Sequence, residues 1–376
     1  MDFGADHVAG ALPEVLAAVA TALGPEAGPA ASYGGDAWTA KAVDAVRDVF
    51  EQPDAEVLLL VNGTATNALA LACLTPPYGS TYCSRNAHIA TSECGAPEFF
   101  SGGAKLELVD ADADGKLVLD TLESRLASRA ANPKAPHQNV PSAVSVTQPT
   151  EDGGVYSVAE IEAIAGLAHK HNMLVHMDGA RFANALQAES QATPAEMTWK
   201  AGVDVLSLGT TKNGTLCCEA IVFFTSAQSR LAEARFRCKR AGHFLEKQRF
   251  LAAQMLAYLK DDLWLRSARN ANDRASDLAR GIAATPGCSL VRQPAINILF
   301  VEMDKAVIAA LRDRGIQLSL TAGSEESRGT PEDPERRARF RMCTQWSTTS
   351  SHIDDFLCIL REVCSANAAA PTQLHA

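Results

Sequence analysis

The sequence predicts an α/β protein, a mostly parallel sheet flanked by helices, followed by a small C-terminal α+β domain. Three observations predict it. Short apolar runs of strand length alternate with helical patterns for roughly two hundred residues, the rhythm of a parallel sheet covered on both faces. Polar, small-residue turns follow several of these runs. After about residue 250 the alternation gives way to a long helical stretch and a few short strands.

Taken in order, residues 11–23 and 39–52 carry apolar residues at helical spacing. The run 57–61 reads as a buried strand, and the helix 65–74 after it is stopped by Pro76 and Pro77. A strand near 106–109 leads through an Asp- and Gly-rich turn to a helix at 118–130. A loop at 132–141 then precedes strand 143–147 and the loop 148–156. Helix 157–170, strand 173–177, helix 194–201 and strand 203–208 complete the alternating part. Beyond it, 250–285 is helical, strands are expected at 296–302 and 339–344, and a helix at 352–364. The charged insert 325–337 reads as a surface loop and 365–376 as a frayed tail. The domains expected are 1–249, the larger, with an N-terminal arm, and 250–376.

Composition narrows the function. With 47% hydrophobic and 21% charged residues, the 376-residue chain has the make-up of an ordinary globular protein. Its net charge of -10 argues against nucleic acid or an anionic membrane as the main partner. Its most apolar run, 57–61, is too short to span a bilayer, and the first ten residues do not resemble a signal peptide. Ten cysteines show no CxxC pair and no zinc-type spacing, so they read as reduced core residues of a cytoplasmic protein, and no metal is expected. His169 and His171 read as a solvated helix end rather than as ligands.

Three strand ends carry candidate chemistry. Asn62-Gly63-Thr64 lies between a strand and a helix start, where backbone N–H groups and hydroxyls can hold a phosphate. Its ordinary alternative is an N-cap, with Thr64 as the cap. Asp178 follows strand 173–177, and a buried carboxylate there needs a partner: Arg181, or a protonated ring nitrogen. Lys212 follows strand 203–208 among small residues, placed either for a Schiff base or simply in a surface turn. Together, a phosphate cup, a strand-end Asp and a strand-end Lys are what a pyridoxal 5'-phosphate site on such a sheet requires.

The segments YGGDAWT (33–39), NGTATNALALACL (62–74), AHIATSECGAPEFFSGGAKL (87–106), TQPTEDGGVY (147–156), HMDGARF (176–182) and GTTKNG (209–214) resemble low-specificity L-threonine aldolases, in particular their phenylserine-aldolase-like branch. The resemblance implies the aspartate-aminotransferase-like fold, pyridoxal-phosphate fold type I, grouped with the β-eliminating lyases. It implies retro-aldol cleavage of L-3-hydroxy-amino acids to glycine and an aldehyde. It also assigns roles. Gly63 and Thr64 fall on the phosphate-binding pair, and His88 on the histidine that stacks on the cofactor ring and moves protons. Asp178 falls on the partner of the ring nitrogen, Arg181 on the arginine beside the phenolic oxygen, and Lys212 on the Schiff-base lysine. His137, at the family's spacing before Gln148, falls on a second active-site histidine. Arg341 matches the arginine that holds the substrate carboxylate, with Arg339 as the alternative register. A homodimer or homotetramer is implied, with Tyr33 and Lys247 or Arg249 reaching the neighbouring subunit's site. Ala5 stands where the family usually has a serine that helps hold the carboxylate, which bears on substrate preference. A β-eliminating lyase or an aminotransferase would share the cofactor residues, and a non-catalytic cofactor-holding protein would not need the histidines.

Overall fold

The computed structural model describes residues 1–131, 136–189, 191–320 and 337–369. The chain forms two compact units, one of residues 10–265 and one that joins residues 1–9 to 266–376. The division thus falls at 265/266 where 249/250 was expected, and the first nine residues belong with the C-terminal unit.

The larger unit opens with α1 (Pro13–Leu23), which has proline in its first turn, and α2 (Ala37–Val49), capped by Asp36 Oδ1 on Thr39 N–H. The alternating part follows as β1 (Glu56–Leu60), α3 (Gly63–Leu74), β2 (Gly79–Ser84), α4 (His88–Thr91), α5 (Ala96–Ser101) and β3 (Lys105–Val109). It continues with α6 (Leu119–Ala131), β4 (Val140–Thr147), α7 (Val158–Lys170), β5 (Leu174–Gly179), α8 (Phe182–Ala188), β6 (Val205–Gly209), β7 (Glu219–Phe223), α9 (Leu231–Arg240) and α10 (Arg249–Leu259). A capping box between Ser157 and Glu160 starts α7. Helix α3 is buried on every side from Ala65 to Leu74, which is why its sequence is almost uniformly small and apolar.

The seven strands are ordered β1-β7-β6-β5-β4-β2-β3. All neighbours are parallel except at β7, which runs antiparallel to both β1 and β6. Six strands therefore end at one edge of the sheet, and β7 begins there. The chemistry-bearing residues collect along that edge.

Several elements depart from the expectation. Strands β2 and β7 were not foreseen; β2 (GSTYCS) is buried throughout yet has the polar composition of a turn. Residues 194–201 form turns ending in a 3-10 turn, Trp199–Ala201, because Thr198 leaves helical dihedrals (φ -126°, ψ -105°). The helical stretch 250–285 is two helices, broken where Asp261 and Asp262 take positive φ (51° and 55°). Asn62, not Thr64, caps α3.

The smaller unit holds most of α11 (Leu263–Ala283), then β8 (Ser289–Leu290), β9 (Ile298–Asp304), α12 (Lys305–Asp313), β10 (Ser319–Leu320), β11 (Arg337–Cys343) and α13 (Ser350–Ala369). Its sheet, ordered β10-β11-β9-β8, is antiparallel throughout. Phe3 joins this core edge-on to Phe356, at 5.1 Å between ring centroids, and its backbone bonds Gln317 and Cys343. Residues 365–369, expected as frayed, continue α13. The rest of that tail (370–376) and most of the charged insert (residues 325–336) lie outside the described residues.

Candidate active site

At the end of β1 the chain enters α3 through Asn62, whose side chain accepts from Ala65 N–H at 2.8 Å while its carbonyl accepts from Thr66. The N–H groups of Gly63 and Thr64, in the first turn, have no intrahelical acceptor and are the donors a phosphate can use. A Cβ on Gly63 would meet nothing within 4 Å, so a ligand has room beside its backbone.

One turn further along α3, Asn67 ties the site together. Its Nδ2 donates to Asp178 Oδ2 at 2.8 Å and to Glu93 Oε1 at 2.9 Å. Asp178 is 4% exposed, and its other oxygen accepts from Ala180 N–H at 3.0 Å. Glu93 Oε1 also meets His88 Nδ1 at 2.8 Å, and the backbone N–H of His88 donates to Glu151 Oε1 at 2.6 Å. The bond to Glu93 raises the proton affinity of His88 against the opposing effect of burial; the charge of Asp178 adds to it and that of Lys212 subtracts. Burial raises the Glu93 carboxyl, and burial together with the charge of Asp178 pushes Glu151 up to about 7.

Lys212 sits in a 3-10 turn, Thr211–Asn213, directly after β6, and is half-buried. Two glycines let its loop lie close to the Asp178 loop. A Cβ on Gly209 would stand 2.5 Å from Ala180 Cα, and one on Gly179 would stand 2.8 Å from the Ser207 carbonyl. Glu219, the first residue of β7, lies at the same edge and accepts from Thr210 N–H at 3.0 Å. Asn213 anchors the far side of the turn, donating to Tyr258 Oη and the Trp264 carbonyl, each at 2.8 Å.

The structure thus brings Gly63, Thr64, His88, Asp178, Arg181 and Lys212 to one edge. It does not bring His137 there. His137 is exposed in the turn before β4, at the strand's N-terminal end. Strand β4 separates it from the active edge by roughly 20–25 Å. Arg341 lies on β11 in the smaller unit; its Nε is buried without a hydrogen-bond partner among the described residues, whereas Arg339 is held by Glu302 at 2.9 Å. In that unit the Ala5 carbonyl accepts from Gln345 Nε2. Tyr33 stacks on Phe244 and bonds Glu246, and Arg249 donates to the Gly28 carbonyl.

Residues 2–306 match the family described as beta-eliminating lyase. The chain belongs to the beta-eliminating lyase family. It is 41% identical to the low specificity L-threonine aldolase of Pseudomonas aeruginosa, over 97% of this chain and 98% of that protein. It is 40% identical to the protein of the same name from Pseudomonas sp. (strain NCIMB 10558), with the same coverage. Among solved structures it resembles a threonine aldolase of Leishmania major, with a TM-score of 0.85 and 27% identity over 96% of this chain and 99% of that one. No described helix of this lyase-family chain is long and apolar enough to cross a membrane, and no group of three or more His, Cys, Asp or Glu among the described residues could hold a metal ion.

The residues present fit pyridoxal phosphate. Asp178 offers a buried strand-end carboxylate to a protonated ring nitrogen, and the Gly63–Thr64 helix start, with room beside its backbone, offers N–H donors to a phosphate. Sequence reasoning missed four groups of this lyase site: Asn67, Glu93, Glu151 and Glu219. Asn67 and Glu219 did leave a signal, the one amide in an otherwise small and apolar helix after its first-turn threonines, and a lone acid opening an apolar strand.

Proposed function

We infer that this chain is a pyridoxal-phosphate-dependent aldolase that cleaves L-3-hydroxy-amino acids (L-threonine, L-allo-threonine and phenylserine) to glycine and an aldehyde. One observation carries this reading. Asp178, His88 and Lys212 meet beside an open helix start, in a chain that aligns over nearly its whole length with two low specificity L-threonine aldolases. Bound there, the cofactor supplies an electron sink for the carbanion left when the Cα–Cβ bond breaks.

The chain's own residues do the rest. Gly63 and Thr64 would hold the phosphate, Asp178 would keep the ring nitrogen protonated, and Arg181 would serve the phenolic oxygen. Lys212 Nζ would be the amine that attaches the cofactor. With His88 Nδ1 tied to Glu93, Nε2 is left to take the β-hydroxyl proton, directly or through a water. Arg341 holds the substrate carboxylate; its unpartnered Nε, beside an Arg339 already engaged by Glu302, supports that choice over Arg339. The protein is a cytoplasmic homodimer or homotetramer. Tyr33, and Lys247 or Arg249, reach a neighbouring site, and His137 can serve only a site in another chain.

Aldehyde and glycine release from L-threonine, L-allo-threonine and L-threo-phenylserine test the activity. Lys212→Ala is expected to abolish it, and His88→Ala to lower kcat about 10²- to 10⁴-fold. Ammonia and a keto acid in place of aldehyde would refute the aldolase and point to elimination.

A further inference from the structure

Glu219 is a buried acid for which the steps above have no use. It opens β7, and because β7 is antiparallel to its neighbours, this first residue stands opposite Gly209 and Leu60, where β6 and β1 end. It is only 6% exposed. Oε2 accepts from Thr210 N–H at 3.0 Å and Oε1 from Thr211 N–H at 3.3 Å, and the Thr211 hydroxyl bonds the carboxylate as well. Thr210 and Thr211 are the two residues before Lys212, so one carboxylate grips the backbone that carries the lysine.

Among the described groups that act on Glu219, Lys212 exerts the largest charge effect. Cys217 and Cys218 precede it in the chain, Tyr258 faces it from α10, and Lys212 faces it from the 3-10 turn. Burial raises both thiols and the Tyr258 phenol, which keeps all three neutral at physiological pH. Burial likewise pushes Glu219 up to about 7, and the positive charge of Lys212 works against that rise. A neutral cap could hold two N–H groups, but a buried carboxylate costs far more and gives Lys212 an opposite charge.

We propose that Glu219 is the positioning residue of Lys212: it fixes the Thr210–Thr211 backbone and supplies the negative charge that favours the protonated Lys212 nitrogen. The proposal rests on Lys212 being the lysine that attaches the cofactor. Neutralising Glu219 then makes that nitrogen lose its proton at lower pH, whereas shortening the side chain with the charge kept loosens the grip and preserves the charge.

The test uses full-length protein loaded with pyridoxal phosphate and no substrate. Borohydride reduction and peptide mapping first locate the modified lysine; a label elsewhere than Lys212 refutes the reading of Lys212 itself. With the label on Lys212, the pH midpoint of the visible absorption band is compared in wild type, Glu219→Gln and Glu219→Asp. The midpoint should fall by about one pH unit in Glu219→Gln and stay near wild type in Glu219→Asp. An unchanged midpoint in Glu219→Gln, or an equal fall in Glu219→Asp, overturns the proposal. Should Glu219→Gln fail to fold, Glu219→Asp decides alone. Cofactor held several-fold more weakly at an unchanged midpoint supports the role, and wild-type retention or a moved midpoint overturns it.

Discussion

His88 owes its basicity to Glu93, a carboxylate with no exposed side-chain surface that bonds its Nδ1. A histidine whose proton affinity is raised stays charged to higher pH and is released as a base only above it. Glu93→Gln should therefore move the acid limb of kcat/KM to lower pH, and a profile superimposable on wild type would show that Glu93 does not govern His88. His176 is the opposite case. It is fully buried between Ser145 Oγ and Ser207 Oγ, each at 2.9 Å, and burial pushes it down to about 4. Between about 4 and 6.5 the unfolded chain binds the extra proton, so this residue makes stability rise with pH, by roughly 3 kcal/mol across the window, and level off above it. His176→Asn should lose less melting temperature than wild type between pH 8 and pH 5; parallel curves would contradict this. At this scale Lys212 and Asp178 were legible because each stands directly beyond an apolar strand, and His88 through the resemblance that its segment 87–106 carries. Glu93 and Glu151 were not, because Glu93 also depends on Asn67, 26 residues away, and Glu151 on the His88 backbone, 63 residues away.

Among elements, the two strand-end loops are held together by what their glycines lack. Gly209→Ala would drive a Cβ into the Ala180 backbone, and backbone yields less readily than a side-chain tip. The expected result is a loss of about 1–3 kcal/mol in thermal or urea unfolding, with weaker cofactor retention. Wild-type values for both would mean that the close approach is unimportant. Elements that bury an apolar stripe or run were readable from periodicity: α7 by its helical spacing, β5 and β6 by mostly apolar runs of strand length. Strand β2 was not, since Ser and Thr in a buried parallel strand look like a turn until both neighbouring strands take up their backbone groups. The 194–201 segment failed in the other direction, a helical composition overridden by local backbone geometry.

For the whole molecule, the place of His137 makes a claim about assembly. If it acts on a neighbour's substrate, mixing Lys212→Ala chains with His137→Ala chains should restore activity that neither shows alone, because hybrid sites pair an intact Lys212 with an intact His137. No recovery in demonstrated hybrids would remove His137 from the site. Residue types and spacings along the chain by themselves determined the fold class, the family resemblance, the strand-end Asp and Lys and the cofactor they suit, because these follow from local periodicity and from what lies just after a strand. Only the tertiary structure decided that β7 runs against its neighbours and so delivers Glu219 to the lysine. It alone decided that Asn67 joins Asp178 to Glu93, that His137 lies at the far end of β4 from the active edge, and that residues 1–9 belong with the C-terminal unit. Each of these depends on which distant segments pair, and no pattern confined to one stretch of chain records that.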